Sequence, residues 1–137
     1  MITITTSVVC SYLKDRLPSL GAFIRNGNID KSSKESIGVF LASDHRALGN
    51  LALGGIDCTV VRMLPINIKV RWSEDQQEHD DKSVEIYDAL LTESDNFTVD
   101  GVKIAYIELL DSCPQSIGRD EKNVCESVIR ANFHYYV

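Results

Sequence analysis

The sequence predicts an α+β domain in which a largely antiparallel, mixed sheet of about four strands is flanked by two helices. Two adjacent stretches with different hydrophobic periods predict this class. Residues 66–73 alternate apolar and polar side chains, as in a half-buried strand, whereas the apolar residues of 84–91 recur at spacings of three and four, as on one face of a helix. A strand and a helix with one apolar face each bury those faces by packing together.

The chain before this pair is predicted to supply one helix and one strand. Residues 5–17 carry apolar side chains at helical spacing, and Pro18 ends the pattern. Residues 20–34 contain Asn26-Gly27, so extended chain with turns is predicted there. Residues 37–42 form a short apolar run with a glycine inside, which is typical of a central strand close to another backbone.

The central strand and helix have predicted ends of their own. The strand is predicted over residues 58–73, with a bend or bulge at Pro65 because proline has no N–H to donate to a ladder. Asp80 and Asp81 suit the first turn of the helix, where carboxylates meet unpaired N–H groups and the positive end of the helix dipole.

The last third of the chain is predicted to complete the sheet. Residues 96–109 are predicted to form a strand hairpin, or a strand with a tight entry turn, around Asp100-Gly101, a strong turn signal. Residues 111–123 are polar and are predicted to form a connection. Residues 125–137 alternate apolar and polar side chains and predict a final strand about thirteen residues long.

Residues 43–57 carry several apolar side chains among three glycines. Loops of this length are uncommon in compact domains unless they have a role. Two interpretations remain open: a partner covers the apolar side chains, because exposed apolar loops are costly in a monomer, or the segment folds back on its own core. The leucines concerned are Leu48, Leu51 and Leu53.

Length and composition predict one globular domain. A chain of 137 residues buries enough surface to fold stably without disulfides or metal ions. No apolar run approaches the ~18 residues of a membrane span. The first seven residues lack the basic start and apolar run of a secretion signal, so cytosolic synthesis is expected. The four cysteines are scattered, and buried free thiols are expected rather than a zinc site or redox pair. They are Cys10, Cys58, Cys113 and Cys125.

The negative charge is concentrated in one stretch. The formal net charge is -6, and residues 74–95 hold nine carboxylates with Lys82 as the only Lys or Arg. Wrapping around nucleic acid needs a basic surface, so this composition argues against that function. The alternative interpretation is a solvated helix face.

No arrangement of residues predicts catalysis, a metal or a cofactor. His45 follows Asp44, but neighbouring residues rarely face each other and no nucleophile motif accompanies them. Consecutive acids and His79 at the start of the predicted helix point in different directions, so helix capping explains them better than metal binding. The chain is therefore expected to be a non-enzyme acting by assembly, while a small enzyme or ligand-binding module using the Asp44-His45 loop remains the alternative.

A series of short motifs, taken in order and spacing, resembles the small bacteriophage minor capsid proteins that act as tail terminators. The resemblance covers most of the chain from Ile37 onward, and no single motif is diagnostic. Asn123, where a glycine would be expected, and the long acidic run are departures. The motifs are Ile37-Gly38-Val39, Leu53-Gly54-Gly55, Ile68 to Trp72, Ile86-Tyr87-Asp88-Ala89-Leu90, Ile117-Gly118-Arg119-Asp120-Glu121-Lys122 and Tyr135-Tyr136.

This resemblance implies a structural protein in the tail or neck of a long-tailed phage virion. Tail terminators form a ring, typically a hexamer, that caps the major tail tube protein and later docks to the head connector. A head-completion or head–tail adaptor protein is the nearest alternative. The resemblance also implies no cofactor, no membrane contact, and DNA that passes without specific binding.

A closed ring needs two different complementary surfaces on each subunit, which assigns expected roles to two sets of residues. Subunit contacts are expected from the leucines of 43–57 and from the 117–122 loop: Leu48, Leu51, Leu53, Ile117, Arg119 and Asp120. Acids facing the channel would repel DNA phosphates and are expected at Glu78, Asp81, Glu85 and Asp88.

Overall fold

A computed structural model describes residues 3–42, 60–93 and 96–137, and within them one sheet of seven strands carries two α-helices and a 3₁₀ helix. In chain order the elements are α1 (Thr6–Arg16), the 3₁₀ helix (Pro18–Phe23), β1 (Ile24–Asn26), β2 (Ser36–Leu41), β3 (Val61–Arg71), α2 (Gln76–Leu91), β4 (Phe97–Val99), β5 (Val102–Leu109), β6 (Gln115–Arg119) and β7 (Cys125–Tyr136).

The sheet is built around the two long strands β3 and β7. Its order is β1-β2-β3-β7-β5-β4, and β6 pairs with β7 next to β5. Only β1 and β2 are parallel among the paired strands described. The predicted α+β class with a largely antiparallel sheet is confirmed. The predicted count of about four strands is wrong, because β1 and β4 are only three residues long and β6 lies in a polar segment without alternation.

One face of the sheet, here called the inner face, holds the core. The buried side chains of β3 and β7 alternate along both strands, and Ile68 pairs with Ile129 at the centre. Tyr12 of α1 packs edge-to-face on Phe133 at 5.6 Å between ring centroids, and its hydroxyl donates to the Glu93 carboxylate, just after the end of α2, at 3.0 Å. Both helices therefore lie on the inner face. The main strand contacts of α2 are with β7 and β5, so the predicted packing of the helix directly on the central strand is corrected: α2 and β3 contribute to one hydrophobic core.

Helix α2 begins earlier than predicted. Asp75 is its N-cap, and the Asp75 carboxylate accepts a hydrogen bond from the Glu78 backbone N–H at 3.1 Å. Asp80 and Asp81 lie in the second turn, where they accept hydrogen bonds from the side chains of Gln76 and Gln77. The polar residues before the apolar stripe are therefore part of the helix, because capping rather than apolar periodicity determines where it starts.

The bulge predicted as one possibility at Pro65 does not form, since β3 stays in register with β7 through the pair Pro65–Asn132. The Pro65 carbonyl accepts the Ala42 N–H at 3.0 Å, so the backbone of Pro65 faces the β2 side of β3. Strand β2 ends at Leu41, and the last β2–β3 pair is Leu41–Ile66. The missing N–H of Pro65 thus falls at the end of the β2–β3 ladder, where it costs a single hydrogen bond.

The hairpin between β4 and β5 forms at the predicted turn. Asp100 and Gly101 have φ angles of 50° and 77°, which is the left-handed pair that a tight two-residue hairpin requires. Two thiols are buried as expected, Cys10 and Cys125, whereas Cys113 is exposed and Cys58 lies outside the described residues. No helix among the described residues is long and apolar enough to span a membrane.

Candidate assembly surface

The second face of the sheet, here called the outer face, has neither α1 nor α2 packed on it. It consists of the side chains that alternate with the core residues along β2, β3, β5 and β7. These are Phe40, Met63, Asn67, Lys69, Tyr106, Glu108, Glu126, Val128, Arg130, Asn132, His134 and Tyr136.

An aromatic and polar cluster lies at the β5 end of the outer face. Tyr106 stacks on His134 with 4.1 Å between ring centroids, and more than half of Tyr106 is exposed. The Glu108 carboxylate accepts a hydrogen bond from the Asn132 amide at 3.0 Å and lies 3.1 Å from Nε2 of His134. These two contacts, that of Asn132 first, lower the pKa of Glu108. The cluster therefore exposes the Tyr106 ring above a set of hydrogen-bonded polar side chains.

Most other charges of the outer face are paired within the chain, whereas Lys103 lies over the Tyr136 ring, 5.3 Å from its centroid. Arg130 donates two hydrogen bonds to the Asp111 carboxylate at 2.9 and 2.8 Å, a bidentate pair. Lys69 Nζ lies 3.5 Å from Glu126 Oε2. The local net charge of this face is therefore close to neutral, which lowers the cost of covering it with another protein.

A shallow cleft of about 350 Å³ opens on this face between β2 and β6. Phe40, Val128 and Ile117 make it partly apolar, and Ile117 is half exposed. Asn67 Oδ1 is buried beside them and has no hydrogen-bond partner in the part of the chain described. The cleft can receive an apolar side chain of a partner.

Two of the residues expected at the subunit contact, Ile117 and Arg119, lie on β6. All five residues of β6 are exposed. The Arg119 guanidinium donates to the carbonyls of Glu74 and Asn123 at 2.7 and 3.0 Å, so it ties β6 to the turn before α2. Ile117 is therefore the apolar side chain that this strand offers to a partner.

Asp120, also expected at the contact, is turned into the molecule. Its carboxylate accepts Arg71 Nε at 2.6 Å, and the two side chains are only 3% and 1% exposed. Desolvation raises the pKa of Asp120, but hydrogen bonds from the Val124 N–H, from Arg71 and from the Lys122 N–H outweigh it and bring the pKa to about 2. Asp120 thus fixes the β6–β7 turn and is not presented at the surface.

The four acids expected to face a channel are all exposed on α2. Glu78 has an internal role as well, because its carboxylate accepts the Ser73 hydroxyl at 2.9 Å. Glu85 pairs with Lys82 at 2.7 Å. Asp81 and Asp88 are seven residues apart and therefore share one side of the helix, away from the sheet.

The remaining predicted site residues, Leu48, Leu51 and Leu53, lie outside the described residues, as do Asp44 and His45. Two exposed apolar side chains lie near the ends of the described ranges on either side of them. Leu41 is 64% exposed and Val60 is 67% exposed.

The aromatic and polar cluster was not predicted from the sequence. The alternation in 125–137 already placed Arg130, Asn132 and His134 on one side of the final strand. The residues facing them on β5 could not be identified, because the β5–β7 register shifts between Ile104 and Tyr106.

No protein-family profile matches the chain, and no curated protein sequence is significantly similar to it.

Proposed function

We propose that this chain is a structural protein of a long-tailed bacteriophage virion. In this proposal it assembles into a hexameric ring that caps the tail tube and joins it to the head connector. The resemblance in the order of its motifs supports the proposal. The structural observation that carries it is the outer face, where exposed apolar and aromatic side chains lie among charges that are already paired.

Exposed apolar and aromatic side chains among paired charges are typical of protein–protein contacts. Interfaces are enriched in aromatic side chains and depleted of unpaired charge at their centre, since an unpaired charge is expensive to desolvate. Tyr106 and Ile117 supply the exposed apolar groups, and the pairs Arg130–Asp111 and Lys69–Glu126 need no partner charge.

A ring requires a second, different surface on each subunit. The apolar segment 43–57 is proposed for that role, so that each copy contributes it to the outer face of a neighbour. The acidic side of α2 is then proposed to face the channel, where it repels DNA phosphates during passage. The virion is the proposed location.

The oligomeric state of the purified chain tests this proposal. Ile117→Asp should convert the ring into a folded monomer, because it places an unpaired charge in the contact. Light scattering after size exclusion measures the mass, and circular dichroism checks the fold. Val84→Asp is the matched control, since Val84 is 44% exposed but lies on α2. It should leave the ring intact.

Negative-stain images of the protein mixed with tail tubes or with head connectors test the position in the virion. Rings at the ends of tail tubes support the terminator. Binding to connectors but not to tubes would instead indicate a head-completion protein. A wild-type protein that stays monomeric in both mixtures would refute the proposal.

A further inference from the structure

A short polar seam lies in the apolar contact between α2 and β7. Nε2 of His79 is 3.4 Å from the Ser83 hydroxyl, which is 2.7 Å from the Ser127 hydroxyl of β7. All three residues are nearly fully buried. The Ser83–Ser127 contact joins α2 to β7, and the His79–Ser83 contact lies within α2 and links the His79 ring to that junction.

The seam accommodates His79 only as a neutral imidazole. Nδ1 is buried without a hydrogen-bond partner among the described residues, so a second proton would have no acceptor. His79 is also the fourth residue of α2, where the helix dipole disfavours a cation.

The charges around the ring do not reverse this preference. Burial is the largest effect and lowers the pKa of His79. Asp80 of α2 and Glu126 of β7 act in the opposite direction, and Arg119 of β6 acts with burial.

A thiol lies beneath the same end of α2. Cys125, at the start of β7, is 1% exposed. Its Sγ is 3.6 Å from the Gln76 side-chain oxygen and 3.8 Å from the Glu74 carbonyl. The start of α2 therefore covers Cys125, and it is held there partly by the seam one turn further along.

A cleft of about 280 Å³ borders the seam on the side of β6. Ser83 and Ser127 form part of its lining, together with Asp80 and Ser116. Solvent therefore reaches Ser83 and Ser127 at the edge of the seam. A protonated His79 side chain needs only a small movement to become hydrated in this cleft.

We propose that His79 is a proton-operated latch. In mild acid the imidazolium leaves the seam, the first turn of α2 separates from β7, and Cys125 becomes accessible while the rest of the fold persists. This inference does not depend on the proposed function.

The direction of the pH dependence follows from proton binding. The open form carries a solvated histidine with a pKa near ~6.5, and the closed form has a lower one. Between these two values the open form binds more protons, so opening becomes more favourable as the pH falls below ~6.5. One proton limits the gain to at most about tenfold per pH unit.

Thiol labelling of the full chain measures the opening. A dithiodipyridine reagent, which reacts in mild acid, is quantified at each cysteine by mass spectrometry. Cys10 is the internal reference, because it is a buried thiol on α1, away from α2 and β7. The Cys125 to Cys10 labelling ratio should rise several-fold from pH 7.5 to pH 5.5, while far-ultraviolet circular dichroism stays constant.

Histidine variants test whether His79 causes the pH-dependent exposure of Cys125. His79→Gln retains a donor for Ser83 but cannot titrate, so its ratio should be the same at both pH values. His134→Gln and His45→Gln should keep the wild-type rise. If His79→Gln does not fold, the midpoint of Cys125 exposure in the wild type must coincide with the His79 titration followed by NMR.

Three results would overturn the latch. They are a constant ratio in the wild type, a rise that persists in His79→Gln, and a rise that coincides with loss of the whole circular dichroism signal.

Discussion

Arg71 shows how a single residue can depart from its sequence pattern. Alternation along β3 predicts a solvent-facing side chain, yet Arg71 is 1% exposed. Its guanidinium is satisfied by Asp120 and by the carbonyls of Ser33 and Lys34, two loops that are distant in sequence. A buried arginine persists only where such partners converge, and this convergence cannot be read from local periodicity.

Removing the charge of Asp120 should destabilise the protein strongly. Asp120→Asn leaves Arg71 buried without a counter-charge, and we expect the melting temperature to fall by roughly 10 °C. Glu121→Gln, next in sequence but with a side chain that is 70% exposed, is the control and should change it by a degree or two at most. Equal melting temperatures for the two variants would mean that the pair does not support the fold.

The same carboxylate predicts a pH dependence in acid. The pKa of Asp120 is about 2 in the folded protein, against ~3.9 in an unfolded chain. The unfolded chain therefore binds more protons between these values, so the stability from Asp120 is fully present above pH ~4 and is lost as the pH falls towards 2. Urea unfolding from pH 5 to pH 2 should give a shallower loss of stability for Asp120→Asn than for the wild type.

At the scale of the element, α2 depends on its first turn. Asp75 caps the helix, and Glu78 extends the cap through the Ser73 hydroxyl, which in turn accepts the Asp75 N–H at 3.0 Å. This relay satisfies groups that the helix itself leaves unpaired.

Loss of the cap should therefore have a measurable cost. Asp75→Ala is expected to reduce the free energy of unfolding by about 1 kcal/mol. Asp81→Ala removes an exposed acid from the same helix and should change it by less than about 0.5 kcal/mol. Urea denaturation of both variants provides the comparison, and a larger loss for Asp81→Ala would place the start of the helix elsewhere.

Elements with a sustained period, an apolar run or a strong turn signal could be predicted from the sequence, whereas an element without any of these could not. β7 and α2 carry their own apolar pattern, whereas all five residues of β6 are exposed and its strand exists because β7 offers an edge. The same limit applies to the candidate surface. Ile117 was found through the resemblance, but the Tyr106–His134 stack depends on a register that only the assembled sheet defines.

At the scale of the whole molecule, charge distribution separates the two faces. The outer face carries mostly paired charges, whereas the exposed side of α2 carries several acids and Lys82 as its only Lys or Arg. Under the proposed function this asymmetry distinguishes a surface that meets protein from one that meets passing DNA. A lumen that attracted phosphates would hold the duplex, and a repulsive lumen lets it move.

Reversing charge on α2 tests that assignment. The wild-type protein should not bind DNA even at low salt, where electrostatic attraction is strongest. Asp81→Lys with Asp88→Lys should create salt-sensitive DNA binding, and phage carrying this pair should package or eject DNA poorly. Asp15→Lys adds positive charge at an exposed position outside both α2 and the 117–122 loop and should leave titres normal. Because added lysines attract DNA to any exposed surface, the titre decides, and normal titres for the α2 pair would place this helix outside the channel.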